Sequence, residues 1–404
     1  MFSRRLAWPP RENRLAALLR EKRAAGRALL DLTESNPTRV GLSYPAAGIA
    51  AALADPGVAA YDPDPRGLRA TREAVAAWCG RRGLAVSADR MVLTCSTSEA
   101  YAILFKLLAD PGDVVLVPQP GYPLFDELAA LESIRPVPYP IVLEDAWRID
   151  LETLDRLLTP PAAEGGAAQG PATPRAVIVV NPNNPTGSAL RPAERDRIDA
   201  LAARAGAAVI ADEVFLDFLL DGGPGVSMAG PRAAGLPAAL TFTLGGLSKA
   251  CGLPQMKLGW ILIDGPEDRR SEALARLEFI ADSYLSAGTP VQLAAGRLLA
   301  LGDGIASLIR ERVAANRGLL VAAFPEASGC RVLPSDGGWY AVLQVPAIRS
   351  EEELVLDLLA SADVLVHPGY FFDFPREAFL ILSLLPEPGR FGEALRRIRA
   401  RLSG

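Results

Sequence analysis

The residues of this chain best suited to chemistry lie in the stretch from Gly245 to Pro254, which contains Lys249. Residues 240–244, Leu-Thr-Phe-Thr-Leu, predict a short apolar strand that ends just before this stretch. A lysine at the end of a buried strand is costly unless it has a task, and an amine made less basic by burial can attack an aldehyde to form a Schiff base. The motif is weak alone, because a lysine in a surface turn also fits it. The rest of the chain must therefore supply a site for an aldehyde cofactor.

Polar side chains also follow other apolar runs, each at the end of a predicted strand. They are Ser96, Thr97 and Ser98 after strand 90–94, Tyr122 after strand 113–117, Asn184 after strand 176–180, and Asp212 after strand 207–211. Ligands bind at the carboxyl ends of parallel strands, so we expect these residues to share one site with Lys249. The hydroxyl-rich turn before the next helix is suited to an anion, with the alternative that Ser98 is only the cap of that helix.

The order of the predicted elements indicates an α/β fold. Strands alternate with helices between residues 90 and 263, which predicts a large domain with a mostly parallel central sheet flanked by helices. Strands predicted at 331–346 and 379–384 indicate a smaller α+β domain. The expected division is residues 1–44 as an N-terminal arm and part of the small domain, 45–305 as the large domain that carries the site, and 306–404 as the small C-terminal domain.

The composition excludes several other classes of protein. The 404 residues carry a net charge of −5 and contain no basic run, so neither nucleic acid nor an anionic membrane is an expected partner. No uncharged run is long enough to span a bilayer. The single histidine, His367, and four scattered cysteines without a CxxC motif argue against a metal site. Such cysteines are typical of reduced thiols, which predicts a cytoplasmic protein.

A set of short motifs, taken in order and spacing, resembles the class I/II family of pyridoxal-phosphate-dependent aminotransferases of fold type I. The resemblance extends over nearly the whole chain. Its motifs are Ser35-Asn36-Pro37, Tyr61, residues 96–100 (Ser-Thr-Ser-Glu-Ala), Tyr122-Pro123, residues 184–187 (Asn-Pro-Thr-Gly), Asp212-Glu213, Ser248-Lys249, Gly252-Leu253-Pro254 and residues 337–340 (Gly-Gly-Trp-Tyr). The resemblance implies pyridoxal 5'-phosphate as the cofactor, with a small-molecule amino donor and an oxo acceptor as substrates.

The resemblance also implies a role for the residues at the strand ends. Lys249 would bind the cofactor as a Schiff base and move a proton during the reaction, and Asp212 would pair with the protonated pyridine nitrogen. Asn184 would donate to the phenolic oxygen of the cofactor, and Tyr122 would stack on its ring. Lys249 and Asp212 are therefore the expected catalytic residues.

The same resemblance implies how the cofactor's phosphate is held and how the chain assembles. The residues expected around the phosphate are Ser96, Thr97, Ser98, Ser248 and Lys257. Tyr61 would reach the phosphate from the partner subunit. This implies a homodimer with shared active sites.

The chain departs from the family pattern at Phe215, Lys257 and Ile381. Phe215 stands where a tyrosine usually donates to the phenolic oxygen, and Lys257 stands where an arginine usually binds the phosphate. Ile381 stands where an arginine usually binds the substrate carboxylate. This predicts either an atypical substrate or another cation in that role, with Arg39 as the first candidate and Arg376 as the second. The residues expected at the substrate are Asn36, Arg39, Trp339 and Ile381.

Other functions remain compatible with the same motifs. A lyase or decarboxylase could use the same cofactor site, and would differ in leaving no pyridoxamine form of the cofactor. A cofactor-binding regulator is a third class, but residues 1–31 are too short for the DNA-binding domain that such proteins carry. An unrelated α/β enzyme with accidental motifs would show no cofactor absorbance.

Overall fold

The computed structural model describes residues 2–6, 13–159, 173–223, 225–233 and 235–402. Its strands are β1 (Leu30–Asp31), β2 (Met91–Thr94), β3 (Val114–Gln119), β4 (Arg135–Val142), β5 (Arg148–Ile149), β6 (Ala176–Val180), β7 (Ala208–Asp212), β8 (Thr241–Gly246), β9 (Gly259–Asp264), β10 (Arg331–Val332), β11 (Tyr340–Gln344), β12 (Val364–Leu365), β13 (His367–Pro368) and β14 (Phe379–Ser383). Its helices are α1 (Arg14–Ala24), α2 (Ala46–Leu53), α3 (Arg69–Arg81), α4 (Thr97–Leu108), α5 (Phe125–Leu131), α6 (Leu151–Leu158), α7 (Pro192–Ala205), α8 (Leu247–Ala250), α9 (Glu267–Asp282), α10 (Thr289–Ala323), α11 (Glu351–Ala362) and α12 (Pro388–Leu402).

An eight-stranded sheet forms the centre of the larger part of the molecule, in the order β2-β9-β8-β7-β6-β3-β4-β5. The five neighbouring strands from β8 to β4 run parallel, whereas the pairs β2-β9, β8-β9 and β4-β5 are antiparallel. The predicted α/β fold with a mostly parallel central sheet is therefore confirmed. Because β6, β7 and β8 are neighbours, the residues that follow them meet at one edge of the sheet.

The side chains of β6 show why its sequence is a continuous apolar run. Ile178 and Val180 pack in one cluster with residues of α4 and α9. Val177 and Val179 point the other way and pack with residues of α6 and α7. A strand covered by helices on both faces has no polar side, so the run needs no alternation. Because helices pack on both faces of β6, the end of the strand is held in place relative to the sheet, and so are the residues that follow it.

A smaller antiparallel sheet, in the order β10-β11-β14-β13, carries the C-terminal part. The single strand predicted for residues 331–346 is wrong in one respect, since residues 333–339 leave the sheet between β10 and β11. Gly337 and Gly338 lie in this excursion, and a Cβ at Gly337 would be 2.8 Å from the carbonyl oxygen of Phe218. That close approach to the larger part of the molecule interrupts the strand.

The segment before α2 packs against the C-terminal part. β1 pairs in parallel with β12, and the carbonyl oxygen of Leu32 accepts a hydrogen bond of 2.7 Å from the amide of Ser383. Residues 7–12 of the expected N-terminal arm lie outside the described residues.

Helix α10, with 35 residues, is long and apolar enough to cross a membrane by length and composition alone. It is also a core helix, because residues such as Leu298, Ile305 and Ile309 are fully buried in the hydrophobic cluster that it shares with α3 and α12. Half of its most apolar window is buried within the molecule.

Candidate active site

A cavity of about 140 Å³ lies where the residues that follow β6, β7 and β8 come together. The predicted site residues that line it are Ser96, Thr97, Ser98, Tyr122, Asn184, Asp212, Ser248 and Lys249, together with Phe215. A larger and more open cleft of about 830 Å³ is lined by residues such as Trp78, Arg82 and Asp303, and by none of the predicted site residues. The chemistry expected from the sequence therefore belongs to the smaller cavity.

Lys249 reaches this cavity from α8, the single turn of helix that follows β8. Its Nζ lies 5.0 Å from the ring centre of Trp339 and 5.8 Å from that of Phe215. Burial lowers the pKa of the Lys249 amine, and the nearby Asp212 carboxylate acts in the opposite direction. A larger fraction of the amine is therefore neutral and able to act as a nucleophile than in an exposed lysine.

Asp212, the last residue of β7, is buried with both carboxylate oxygens occupied. Oδ1 accepts the backbone N–H of Val214 at 3.2 Å, and Oδ2 accepts the hydroxyl of Tyr101 at 3.2 Å. Burial raises the pKa of Asp212 to about 6, while the Val214 amide, the Tyr101 hydroxyl and the Lys249 charge lower it. A carboxylate in this setting gains from a cationic N–H partner, because its side chain is buried and has lost most of its water.

Tyr101 was not predicted from the sequence to be a site residue. It lies in α4, and its hydroxyl is the only polar atom that the side chains of the apolar stretch 100–105 present. A lone hydroxyl in such a stretch is a signal that could have singled it out. Which way it points depends on the rotation of α4 over the sheet, which the sequence pattern does not reveal.

Asn184 provides the observation by which a bound group can be tested against the site. Its side chain is buried, and its Oδ1 has no hydrogen-bond partner. A buried amide with an unused polar atom is costly unless a ligand supplies the partner, and because a flip about the last torsion exchanges the amide O and N, the Nδ2 donors can be turned to a ligand oxygen. Together with the amine of Lys249 and the carboxylate of Asp212, it matches the three polar positions of the pyridoxal ring: aldehyde, phenolic oxygen and ring nitrogen.

The first turn of α4 forms the other end of the cavity. Ser96 Oγ accepts the amide of Glu99 at 3.1 Å, and the Glu99 carboxylate accepts the amide of Cys95 at 2.6 Å. The alternative that Ser98 is the helix cap is therefore wrong, since Ser96 fills that place. The Ser98 hydroxyl and the amides of Thr97 and Ser98 are left for an anion, at the positive end of the helix dipole.

Several predicted residues lie away from the cavity in this chain. Tyr61 is 80% exposed and borders a separate pocket, and Lys257 is exposed with a left-handed backbone (φ +51°). Asn36 caps the turn 37–39 through its Oδ1, and Arg39 is exposed. Arg376 pairs with Glu144 at 3.1 Å on the surface.

Ile381 is fully buried in an apolar layer of the small sheet. It pairs with Val342 and with His367, so the three side chains share one face. Ile381 and Val342 belong to the same hydrophobic cluster as Phe372. Ile381, which stands where the resemblance expects an arginine, is therefore buried between the apolar Val342 on one side and the imidazole of His367 on the other.

Trp339 is buried beside the cavity, between Phe215 at 5.3 Å and Phe218 at 5.0 Å from ring centre to ring centre. Ser35 and Tyr340 line the cavity itself, although neither was singled out as a site residue from the sequence. Burial raises the pKa of Tyr340, and a hydrogen bond with Ser35 lowers it. Ser35 belongs to the motif Ser35-Asn36-Pro37 and Tyr340 to the motif at residues 337–340, so membership in these motifs was the signal that could have identified them.

Comparisons with known proteins agree with this geometry. The family "Aminotransferase class I and II" matches residues 29–397, so the chain belongs to this family. It is 26% identical to the glutamate-pyruvate aminotransferase AlaA of Escherichia coli, over 94% of this chain and 91% of that protein. It is 28% identical to the arginine–pyruvate transaminase AruH of Pseudomonas aeruginosa, over 83% and 80% of the two chains. The structure of an alanine aminotransferase from Pyrococcus furiosus superimposes with a TM-score of 0.85 over all of both chains, at 24% identity.

The protein is therefore a transferase, an aminotransferase that depends on pyridoxal 5'-phosphate. The cavity residues fit that cofactor, with Lys249, Asp212 and Asn184 toward its ring and the first turn of α4 toward its phosphate.

Among the described lysines, Lys249 alone lines the cavity, and the cofactor's aldehyde should attach there. Borohydride reduction of the holoprotein, followed by digestion and mass spectrometry, should place the pyridoxyl group on Lys249. Lys249→Ala should abolish turnover and the visible absorbance, while Lys257→Ala, as a control, keeps the adduct on Lys249. An adduct on Lys257 or Lys106 would contradict this assignment.

Phe215 offers no hydroxyl to the cofactor's phenolic oxygen, which leaves Asn184 as the donor. With fewer hydrogen-bond donors, the phenolic oxygen keeps more negative charge. The proton on the neighbouring Schiff-base nitrogen is then held more tightly. The visible absorbance should change at a pH about one unit higher in the wild type than in Phe215→Tyr, the effect of one hydrogen bond. Phe218→Tyr serves as a control, because Phe218 packs on the same Trp339 outside the cavity. A spectroscopic pH titration that gives no shift, or one in the opposite direction, would refute the idea.

Proposed function

We propose that this aminotransferase acts on a substrate whose amino-bearing carbon has no free carboxylate beside it. The observation that carries the proposal is the burial of Ile381 in an apolar layer, at the position where the family pattern has an arginine. The relatives named above act, by their names, on alanine, glutamate, arginine and pyruvate, all of which carry that carboxylate. The proposed substrate is an amine or an amino-aldehyde precursor.

The charges around the cavity support this proposal. Among the described residues that line it, Lys249 is the only cation, and Asp212 is the only carboxylate. An arginine would hold a substrate carboxylate with two parallel charged hydrogen bonds, each contributing about 1.5–3 kcal/mol. Isoleucine contributes none, and Ile381 is not among the residues that line the cavity, so a carboxylate that loses its water on binding gains no charged partner from this position.

In the proposed mechanism, the residues that act on the cofactor follow strands of the large sheet. When bound, pyridoxal 5'-phosphate supplies an electron sink for the negative charge that develops on the substrate carbon. Lys249 would hold the cofactor, and its amine, once free, would take the proton from the substrate carbon and later return it. Asp212 would accept the ring N–H, Asn184 would donate to the phenolic oxygen, and Tyr122 would cover the ring face. The walls formed by Phe215 and Tyr340 exclude water from the reacting atoms.

An exposed apolar patch supports a homodimer with shared sites. Tyr61 is 80% exposed, Tyr284 is 54% exposed, and Leu285 lies beside them around one pocket of about 140 Å³. Exposed apolar surface of this kind is typical of protein interfaces. We propose that a second copy covers it and receives Tyr61 into its own phosphate site. We also propose a cytoplasmic location, because the four cysteines are free thiols.

The substrate proposal predicts slow reaction with common amino acids. Single-turnover conversion of the cofactor to its pyridoxamine form should be at least about 150-fold slower with alanine, glutamate and aspartate than with a carboxylate-free amine of matched size, because two missing charged hydrogen bonds amount to ~3 kcal/mol or more. A lyase or decarboxylase would release product without that conversion.

The alternative cations provide the control. Arg39 lies four residues beyond Ser35, which lines the cavity, so it is the cation to test first. Arg39→Ala and Arg376→Ala should leave the rates with the amine panel unchanged. Efficient turnover of alanine that falls in Arg39→Ala would assign the carboxylate to Arg39. Efficient turnover that neither variant alters would exclude both explanations.

The dimer proposal predicts complementation between inactive subunits. Coexpressed Lys249→Ala and Tyr61→Ala chains should regain about a quarter of wild-type activity, because half the dimers are mixed and each contains one intact site. Coexpressed Lys249→Ala and Asp212→Ala chains should regain none, since both changes lie in the same subunit's cavity. Equal results for the two mixtures, or an active monomer in sedimentation, would contradict sharing.

A further inference from the structure

The Asp212 carboxylate is held at both oxygens by donors from different parts of the fold. The Val214 amide, two residues along the chain, donates to Oδ1, and the Tyr101 hydroxyl, from α4, donates to Oδ2, each at 3.2 Å. The two donors fix the plane of the carboxylate and leave further lone pairs free for a third partner.

We infer that Tyr101 is a positioning residue, which orients the Asp212 carboxylate toward the cavity and stabilises its charged form. The inference rests on the proposed role of Asp212 as the partner of the ring nitrogen. It goes beyond that role, because it assigns the orientation of the carboxylate to a residue of another element.

The Tyr101 hydroxyl has little freedom to move. Its side chain is fully buried, with its ring 5.9 Å from that of Phe105 and 5.5 Å from that of Phe125. Phe125 in turn lies edge-on to Tyr122, 5.8 Å away. The residue that is proposed to cover the cofactor ring and the residue that holds Asp212 are therefore packed against the same phenylalanine.

Helix α4 ties the two ends of the cavity together. Ser98 and Tyr101 are three residues apart, so they lie on the same face of the helix. Ser98 lines the proposed phosphate end, while Tyr101 contacts Asp212 at the ring-nitrogen end. A rotation of α4 would displace both contacts at once, which makes the separation of the two ends a property of one rigid element.

The charges around Asp212 show what the hydroxyl does. Burial raises the pKa of Asp212 to about 6, and the groups that lower it are the Val214 amide, the Tyr101 hydroxyl and the Lys249 amine. The other titratable groups that face it are Tyr122 and the neighbouring Glu213. Burial also raises the pKa of Tyr101 well above its usual value, so its hydroxyl stays protonated and can only donate to the carboxylate.

The test compares Tyr101→Phe with a matched control, Tyr139→Phe. Tyr139 is equally buried, but its hydroxyl donates to the carbonyl oxygen of Ile178 at 2.8 Å, away from the cavity. Both changes remove one hydroxyl and keep the ring. Tyr101→Phe should raise the pKa of Asp212 by about one unit, a tenfold change in its protonation, and Tyr139→Phe should not change it.

The first measurement is the affinity of the apoprotein for pyridoxamine 5'-phosphate, which forms no bond with Lys249, between pH 5.5 and 8.5. In Tyr101→Phe the affinity should fall about fivefold near pH 6, where a rise of one unit lowers the ionised fraction of Asp212 from about one half to about one tenth, and much less at pH 8.5, where Asp212 is ionised in both proteins. Identical pH profiles for Tyr101→Phe, Tyr139→Phe and the wild type would overturn the inference. A fall of the same size in Tyr139→Phe would also overturn it.

The second measurement needs no cofactor. Because the folded-state pKa of Asp212 is above its unfolded value, the folded chain binds more protons between pH 4 and 6, and this carboxyl lowers stability as the pH rises through that window. In Tyr101→Phe the loss should continue about one pH unit further, whereas Tyr139→Phe should lower the free energy of unfolding equally at pH 5 and pH 8. Parallel pH curves for Tyr101→Phe and the wild type would overturn the inference.

An Asp212→Asn variant separates this inference from the proposed function. If Asp212→Asn binds pyridoxamine 5'-phosphate as the wild type does at every pH, the role of Asp212 toward the cofactor fails, and the inference about orientation fails with it. If Asp212→Asn weakens binding while Tyr101→Phe leaves both pH profiles unchanged, the role of Asp212 stands and Tyr101 is only a packing residue.

Discussion

The site depends on keeping an amine and a carboxylate in the same dry cavity. Removing either charge from water is costly, and the cost shows in opposite shifts: burial lowers the pKa of Lys249 and raises that of Asp212. The two groups lower each other's cost, and the Val214 amide and the Tyr101 hydroxyl lower it further at Asp212. The parallel sheet meets this requirement because β7 and β8 are adjacent and end at the same edge.

The sequence predicted those parts of the site that follow from the position of a residue along the chain. Lys249, Asp212 and Asn184 each come after an apolar run, and the strands that the runs form are buried by helices on both faces, which fixes where each strand ends. Tyr101 was missed because its contribution depends on how α4 is rotated over the sheet, a matter of packing rather than of pattern. For Ser98, the sequence left open whether it caps α4 or contributes to an anion site. The choice depends on the residue at which the helix begins, which neighbouring hydroxyl residues in a turn do not reveal.

Other residues could not be placed by the sequence for a different physical reason. Tyr61 is exposed in this chain, and the proposal that it enters a partner's site concerns a second surface, which a pattern within one sequence does not describe. The break between β10 and β11 follows from the approach of Gly337 to the carbonyl oxygen of Phe218, which is a contact between distant parts of the chain. A pattern of apolar residues indicates which face of an element is buried, but it does not indicate which other element packs against that face.

The residues proposed to act on the cofactor and Ile381, which departs from the family pattern, lie in different sheets of the molecule. The residues proposed to act on the cofactor come from the large sheet and α4; among them Lys249, Asp212 and Asn184 keep the residue types of the resemblance, whereas Phe215 and Lys257 depart from it. Ile381 comes from the small sheet, whose inner face is continuous apolar packing through Val342 and Phe372. Because the two layers are separate elements, a change in the small sheet can alter what is recognised without disturbing the buried pair that drives the reaction. The proposed substrate therefore requires no change in the residues proposed to act on the cofactor, because Ile381 belongs to the other sheet.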